Sequence, residues 1–174
     1  MPEPRSELLP RRVLGIDPGL AIMGYGIVDE RGSGGTLVAS GVVRTSAKLP
    51  RAQRLALLHD AVAALIAEYA PHEVAVEQQF VSENVKSAMA VGEARAAAMI
   101  AGATAGLSVH EYAPRDVKEA VTGWGAAPKQ QVQQMVLVHL GLTELAGTYD
   151  VTDAVAIALT RLAEGQREIA MARR

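Results

Sequence analysis

Four acidic residues stand at positions where they could build a metal site. Asp17 directly follows the apolar run VLGI, and Glu77 closes the apolar run EVAV. A carboxylate at the end of a buried strand needs a partner, and neither residue has a Lys or Arg close to it in sequence. The partner is therefore either distant in the chain or a cation from solution.

Asp150 and Asp153 are three positions apart, so in a helix that begins at or just before Asp150 both side chains project from one face of its N-terminal end. Together with Asp17 and Glu77 they would form an all-oxygen site suited to Mg²⁺ or Mn²⁺. Two such ions could activate a water and stabilise the leaving oxygen of a phosphodiester. The spacing alone does not name the reaction.

Each of these acids also has a simpler interpretation. Asp150 could cap the last helix while Asp153 favours its dipole. Asp17 could be only the first residue of an Asp-Pro-Gly turn, and Glu77 a surface residue at a strand end, although Glu is a poor strand former. We favour the metal site because these coincidences occur together in one chain.

The elements that must position the acids follow from hydrophobic periodicity and from turn residues. We predict strands at 12–17, 24–29, 36–45, 73–77 and 109–113, and helices at 51–69, 85–105, 114–121, 128–140 and 150–164. Pro114 and Pro128 fall in the first turns of their helices, where proline is tolerated.

Three hairpin strands followed by alternating helices and strands predict an α/β fold, with a five-stranded mixed sheet flanked by helices. This order matches the ribonuclease H-like fold. In open α/β sheets, sites collect at the carboxyl ends of parallel strands, where Asp17 and Glu77 would lie. We expect one domain over 1–174 with loose ends at about 1–11 and 166–174, and we assign no role to the arginines of the N-terminal end, Arg5, Arg11 and Arg12.

Composition limits the chemistry and the location. Cysteine is absent, which excludes disulfides, thiolate catalysis and sulfur-bound zinc. No apolar run approaches the roughly 18 residues of a membrane span, so we expect a cytoplasmic protein with no membrane partner. The net charge is −2, but if a metal site neutralises four of the 19 acidic residues, 15 remain against 17 basic ones. That balance leaves room for a basic face.

Five motifs together carry a family resemblance. LGIDPGLAIMGYGIV, AVEQQF, RDVKEAVTG, GAAPKQQVQQMV and DVTDAVAIA occur in the order found in RuvC resolvases, over about Val13 to Leu162. The resemblance implies a homodimeric, nucleoid-associated, metal-dependent endonuclease that nicks a four-way DNA junction symmetrically and works with RuvA and RuvB. By motif, the family's four acidic metal-binding positions fall on Asp17, Glu77, Asp150 and Asp153, and the resemblance implies two metal ions per site.

The resemblance also implies residues that contact DNA. Phe80 falls on the aromatic position that follows the catalytic Glu. Because the loop around it is polar, we favour base stacking for Phe80 over a position in the core. Lys118 and Lys129 fall on basic positions that contact phosphate in the family. The alternative is that both are ordinary solvated lysines, which the sequence alone does not distinguish from phosphate contacts. Arg95 and Arg115 are further candidates. Trp124 lies between two glycines and could line the DNA surface or be a half-buried anchor.

Two other functions stay open at this point. A junction-binding scaffold would keep the fold and lack cleavage, and its expected mark, a missing acid, is not seen. A nucleotide-binding fragment of the actin and sugar-kinase class would share the opening strand and hairpin. This chain lacks the length and the second Asp-Gly strand motif of that class.

Overall fold

The first strand, β1 (Arg12–Asp17), shows why the sheet needs a helical layer on each face. Successive side chains of a strand point to opposite faces, and in β1 both sets are apolar. Val13 packs into one buried cluster, while Leu14 and Ile16 pack into the other. Because all three are fully buried, helices cover both faces of the sheet.

The computed structural model describes residues 10–78 and 84–173. Within these ranges the chain forms five strands and five helices, in the order β1 Arg12–Asp17, β2 Ile22–Arg31, β3 Gly34–Arg44, α1 Arg51–Tyr69, β4 Glu73–Glu77, α2 Val85–Thr104, β5 Ser108–Tyr112, α3 Pro114–Thr122, α4 Lys129–Leu140 and α5 Tyr149–Ala172. None of the described helices is long and apolar enough to cross a membrane.

The strands form one sheet in the order β3-β2-β1-β4-β5. The first three strands are antiparallel neighbours, whereas β4 runs parallel to both β1 and β5. The predicted five-stranded mixed sheet flanked by helices is therefore confirmed. Because β1 and β4 are parallel neighbours, their last residues, Asp17 and Glu77, lie at the same end of the sheet, where the parallel strands terminate.

Helix α5 approaches the sheet closely because glycines line the contact. A Cβ atom added to Gly15 would lie 2.1 Å from the carbonyl oxygen of Ala154, and one added to Gly24 would lie 2.1 Å from that of Asp150. Both distances are far shorter than van der Waals contact, so the helix backbone comes this near only where the strands carry no side chain. The first turn of α5 is thereby held against β2.

The hairpin is longer than the apolar pattern predicted. Strands β2 and β3 pair as far as the Arg31–Gly34 couple, because the backbone hydrogen-bond ladder continues past the apolar residues that mark the strand in the sequence. Helix α4 begins at Lys129, and Pro128 is its extended N-cap, with φ −67° and ψ 152°, instead of a residue of its first turn. Strand β2 also begins two residues before its predicted start, and apart from the end of α5 the remaining boundaries differ by one residue or not at all.

Both ends of the described chain are tied to the domain more firmly than predicted. Helix α5 continues to Ala172, beyond the predicted loose boundary at about 166. The side-chain amide of Gln166 donates to Glu30 Oε1 at 2.8 Å and to the carbonyl of Gly32 at 2.6 Å, which anchors this part of the helix. At the other end, Arg11 pairs with β4 at 2.6 Å, whereas Arg5 lies outside the described residues.

An ionic cluster joins α5 to the start of β4. Arg161, only 3% exposed, donates to both carboxylate oxygens of Glu73 at 2.9 and 3.2 Å and also pairs with Glu164 and Glu168 at 3.0 Å. Arg11 donates to the same Glu73 carboxylate. Burial acts to raise the pKa of Glu73, but the hydrogen bonds from Arg161 and Arg11 lower it overall. This cluster stabilises the ionised carboxylate.

Candidate active site

The four predicted acids are brought to one end of the sheet by three different elements. Asp17 is the last residue of β1 and Glu77 the last residue of β4. Asp150 and Asp153 lie in the first two turns of α5, which Gly24 allows to pack beside the end of β1, since Gly24 is the register partner of Asp17 on β2. Residues 133 positions apart in sequence therefore share one site.

The charges of the four acids influence one another. Burial, followed by the charges of Glu77, Asp153 and Asp150, raises the pKa of Asp17 to about 8. Burial and the charge of Asp153 likewise raise the pKa of Glu77 above its ordinary value. Buried like charges of this kind repel one another, so the ionised site needs a counter-cation.

Lys129 supplies one positive charge to this site. Its ammonium group donates to Asp153 Oδ2 at 2.8 Å and lies 4.8 Å from the ring centroid of Tyr149. Burial acts to lower the pKa of Lys129, but the hydrogen bond to Asp153 and the surrounding carboxylates raise it overall. Its charge acts in turn to lower the pKa of both Asp17 and Glu77.

A cavity of about 170 Å³ opens beside the acids, lined by Glu77, Pro114, Val117, Lys118, Lys129, Val132, Asp153 and Ala156. Lys118 is on α3, and its charge acts to lower the pKa of Glu77. The floor of the cavity is apolar, and its rim carries two carboxylates and two ammonium groups. Both predicted lysines are therefore at the acidic site.

The donor chemistry fits a hard divalent cation, because the candidate ligands are all carboxylates and two of them are buried beside like charges. Among the described residues, however, no three Asp, Glu or His side chains converge in a geometry that could hold an ion. Two carboxylates are instead held by protein donors: Asp153 by Lys129, and Asp150 by the hydroxyl of Thr148 at 2.8 Å. Binding of an ion would require these carboxylates to exchange partners.

The other predicted DNA contacts have different surroundings. Arg115 is exposed at the start of α3 and has no ion-pair partner in the described part of the chain. Arg95, on α2, pairs with Glu111 of the edge strand β5, so a phosphate would have to compete with that carboxylate. Phe80 lies outside the described residues, and its role stays a prediction.

Sequence reasoning missed two neighbours of the acids. Tyr149 stacks with the Lys129 ammonium, and Thr148 donates to Asp150. Thr148 immediately precedes the helix that carries Asp150, so a cap pattern could have pointed to it. Nothing in the sequence pairs Tyr149 with a lysine 20 positions earlier, since that contact depends on how α4 and α5 pack.

Comparisons with known proteins show the family of this chain. The family model described as crossover junction endodeoxyribonuclease RuvC matches residues 13–161. A relative from Heliobacterium modesticaldum, named crossover junction endodeoxyribonuclease RuvC, is 50% identical over 147 residues, which cover 84% of this chain and 91% of that protein.

Solved structures also match closely. T. thermophilus RuvC in complex with Holliday junction substrate superimposes with a TM-score of 0.87 and 36% identity, covering 91% of this chain and 96% of that one. The yeast mitochondrial Holliday junction resolvase Ydc2, at 14% identity and a TM-score of 0.65, covers 97% of this chain and 89% of its own and shares the fold. The chain therefore belongs to the RuvC family of crossover junction endodeoxyribonucleases.

Proposed function

We propose that this protein is a Holliday-junction resolvase whose catalytic and metal-holding residues are Asp17, Glu77, Asp150 and Asp153. The observation that carries the proposal is the meeting of these four carboxylates beside Lys129 at one end of the sheet, with burial and mutual repulsion raising the pKa of two of them. The reaction is hydrolysis of a phosphodiester in each of two strands of a four-way junction, with no covalent protein intermediate.

The four carboxylates would hold Mg²⁺ or Mn²⁺, two ions per active site. When bound, such ions stabilise charge on the phosphate and increase the acidity of water. The chain's own groups complete the site: Lys118 and Lys129 bind phosphate oxygens at the rim of the cavity as point charges, and the apolar floor limits the access of bulk water. If Asp153 held an ion, Lys129 would be released from that carboxylate and could bind a DNA phosphate.

The remaining predicted contacts extend this DNA surface. Arg115 is free to bind a phosphate beside Lys118, whereas Arg95 must first leave Glu111. Phe80 would stack on junction bases, so Phe80→Ala should impair junction cleavage while leaving the melting temperature unchanged. An unchanged cleavage rate would return Phe80 to the core.

The protein would act as a homodimer formed through α2. Three large apolar side chains, Val85, Met89 and Ile100, are more than half exposed on this helix, and their spacing of four and eleven residues places them on one face. A twofold dimer would bury them and present two active sites to a junction with twofold symmetry. Sedimentation should give a dimer for the wild type and a monomer for Ile100→Asp; a wild-type monomer would contradict the proposal.

We also expect RuvA and RuvB to be partners and the cytoplasmic nucleoid to be the location, both supported by the family resemblance alone. Co-purification of the three proteins on a synthetic junction would test the partnership. Binding of this chain that is unaffected by RuvA and RuvB would count against it.

The decisive experiment is cleavage of a synthetic four-way junction, with linear duplex as the control, in Mg²⁺, Mn²⁺ and EDTA. We expect paired symmetric nicks only in the junction and only with a metal ion. Selective junction binding without nicks in either metal would favour the catalytically silent scaffold. If junction and duplex are treated alike, the proposed substrate is wrong, and tight ATP binding would point instead to the nucleotide-binding class.

A further inference from the structure

The loop between the two lysine-bearing helices α3 and α4 holds an exposed tryptophan in a fixed backbone conformation. Gly123 adopts φ +78° and closes α3 through its N–H bond to the Glu119 carbonyl. The N–H of Trp124 then donates to Thr122 Oγ1 at 3.1 Å, and the carbonyl of Trp124 accepts from Ala127 N at 3.0 Å. The backbone of Trp124 is therefore fixed on both sides, while its side chain is 55% exposed.

The indole is not needed to anchor this loop. Val121 and Ala127, on either side of it, are 3% and 1% exposed and belong to the core cluster beneath α3 and α4. The sequence left two interpretations open for Trp124, a half-buried anchor or a residue of the DNA surface. Val121 and Ala127 already anchor the loop, which favours the second interpretation. An aromatic residue that is more than half exposed is typical of a binding surface.

The surroundings of Trp124 connect it to the acidic site. Gly125 lies against Arg115, because a Cβ atom added to Gly125 would be 2.8 Å from Arg115 Cγ and 3.1 Å from Arg115 Nε. Arg115 and Lys118 are three residues apart on one face of α3, and Lys118 lines the cavity that contains Glu77. A continuous surface therefore runs from Trp124 over Arg115 and Lys118 to the acids.

The charge of α3 differs between its two sides. Asp116 and Glu119 line a separate cavity with Glu111, Glu164 and Arg167, and its four carboxylates against one guanidinium disfavour a phosphate backbone. Arg115 and Lys118 face the loop and the acidic site instead. A nucleic-acid strand that leaves the active site is thus favoured on the side of α3 where Gly125 and its neighbour Trp124 lie.

We propose that Trp124 is a DNA-contacting residue that stacks on a base or deoxyribose of the junction arm next to the scissile phosphate, while Arg115 binds the adjacent phosphate. The inference rests on the proposed function, since it extends the same DNA surface. An aromatic plane beside a guanidinium and an ammonium is the combination that binds distorted or unpaired strands with little base preference. Trp124 adds contact area that the point charges of lysine do not supply.

Trp124 is the only tryptophan of the chain, so its fluorescence reports directly on this contact. A fluorescein-labelled junction is titrated in EDTA while anisotropy follows binding, and an unlabelled junction is titrated in parallel while tryptophan emission is recorded. Free N-acetyltryptophanamide corrects for light absorbed by the DNA. We expect emission to fall in proportion to the bound fraction and acrylamide quenching to decrease.

Two variants test the contribution of the ring. Trp124→Ala should weaken junction binding roughly tenfold, as expected for the loss of one stacked base, while Trp124→Phe stays close to the wild type. Val138→Ala, which removes an exposed apolar side chain of α4 in a cavity beside the β2–β3 hairpin, is the matched control and should bind normally. Melting temperatures of all variants should equal that of the wild type.

The two proposals fail in distinguishable ways. If anisotropy shows saturation but emission and acrylamide quenching do not change, Trp124 does not contact DNA and this inference is wrong while junction binding stands. Binding by Trp124→Ala as tight as that of the wild type would also overturn it. If anisotropy shows no junction binding at all, the proposed function itself fails.

Discussion

The two ends of strand β4 carry the same side chain in opposite electrostatic settings. Glu73 begins the strand inside a cluster of arginines, and its pKa is lowered overall by Arg161 and Arg11. Glu77 ends the strand among other carboxylates, and its pKa is raised by burial and by Asp153. Both are only partly exposed, so burial does not distinguish them; the neighbouring charges do.

The charges at one end of the sheet stabilise the fold, and those at the other end form the candidate active site. At the Glu73 end, each buried charge has an opposite charge within hydrogen-bond distance, and removal of a partner leaves an uncompensated ion. At the Glu77 end, like charges are held together by the fold against their repulsion, with Lys129 as a partial counter-charge. The first arrangement stabilises the folded chain by itself, whereas the second leaves negative charge that Lys129 balances only in part.

The largest expected effect is that of Asp17→Asn, which removes a ligand charge without changing shape. Junction cleavage should fall more than roughly a hundredfold, since metal-ion stabilisation contributes several kcal/mol and about 1.4 kcal/mol is a factor of ten in rate. Junction binding should stay largely intact, and the melting temperature in EDTA should not fall, because the variant relieves repulsion. Full cleavage activity would remove Asp17 from the site.

Removal of Arg161 should have the opposite signature. Arg161→Met leaves the partly buried Glu73 with Arg11 as its remaining arginine partner and should lower the free energy of unfolding by about 3 kcal/mol, as measured by urea denaturation. Arg167→Met is the matched control on the same helix, since the one hydrogen bond of Arg167 to a described residue is a 3.4 Å bond to the backbone of Ala163. Equal stability of the two variants would show that the cluster contributes nothing.

The Glu73 end should also determine acid sensitivity. The pKa of His110 is lowered by burial and by Arg161, against the opposing charges of Glu73, Glu164 and Glu168. A lowered histidine pKa means that the unfolded chain binds more protons just below the ordinary value of 6.5, so the contribution of His110 to stability falls as the pH decreases from there, whereas the raised pKa of Asp17 acts in the opposite direction. The lowered pKa of Glu73 extends this loss as the pH passes below 4.5.

The corresponding measurement is the melting temperature between pH 7.5 and pH 4 in about ten steps. Relative to the wild type, His110→Gln should gain stability as the pH falls from 6.5 towards the titration of Glu73, with no further change below it. A difference between variant and wild type that stays constant through this interval would contradict the assignment.

The smallest effect should come from Tyr149, which positions Lys129 at the acidic end. Loss of a partly exposed cation–π contact costs about 0.5–1 kcal/mol, so Tyr149→Leu should weaken junction binding and cleavage by roughly two- to fivefold. Tyr149→Phe keeps the ring and should restore wild-type values. If both variants behave alike, the ring does not act through Lys129.

Much of this arrangement was predictable from the sequence, but only where the signal is local. The strand that ends at Asp17 and the strand 73–77 were predicted to the residue, because an apolar run marks both. The late part of α5 was missed because ion pairs and Gln166 hold it, and these partners come from distant elements. The pairing of Lys129 with Tyr149 and the exposure of Trp124 also depend on packing, which periodicity does not encode.

Gly24 also determines how the acidic end of the sheet is built. It has no functional group, yet a single methyl there would overlap the backbone of Asp150 and push the first turn of α5 away from Asp17. In a screen of random variants for lost resolution of junctions, substitutions at Gly24 would fall into the same class as those of the four acids, despite intact chemistry in every side chain. The spacing of the four carboxylates thus depends partly on the missing Cβ atom of Gly24. A designer who transfers these acids to another sheet must therefore also place a glycine at the equivalent strand position.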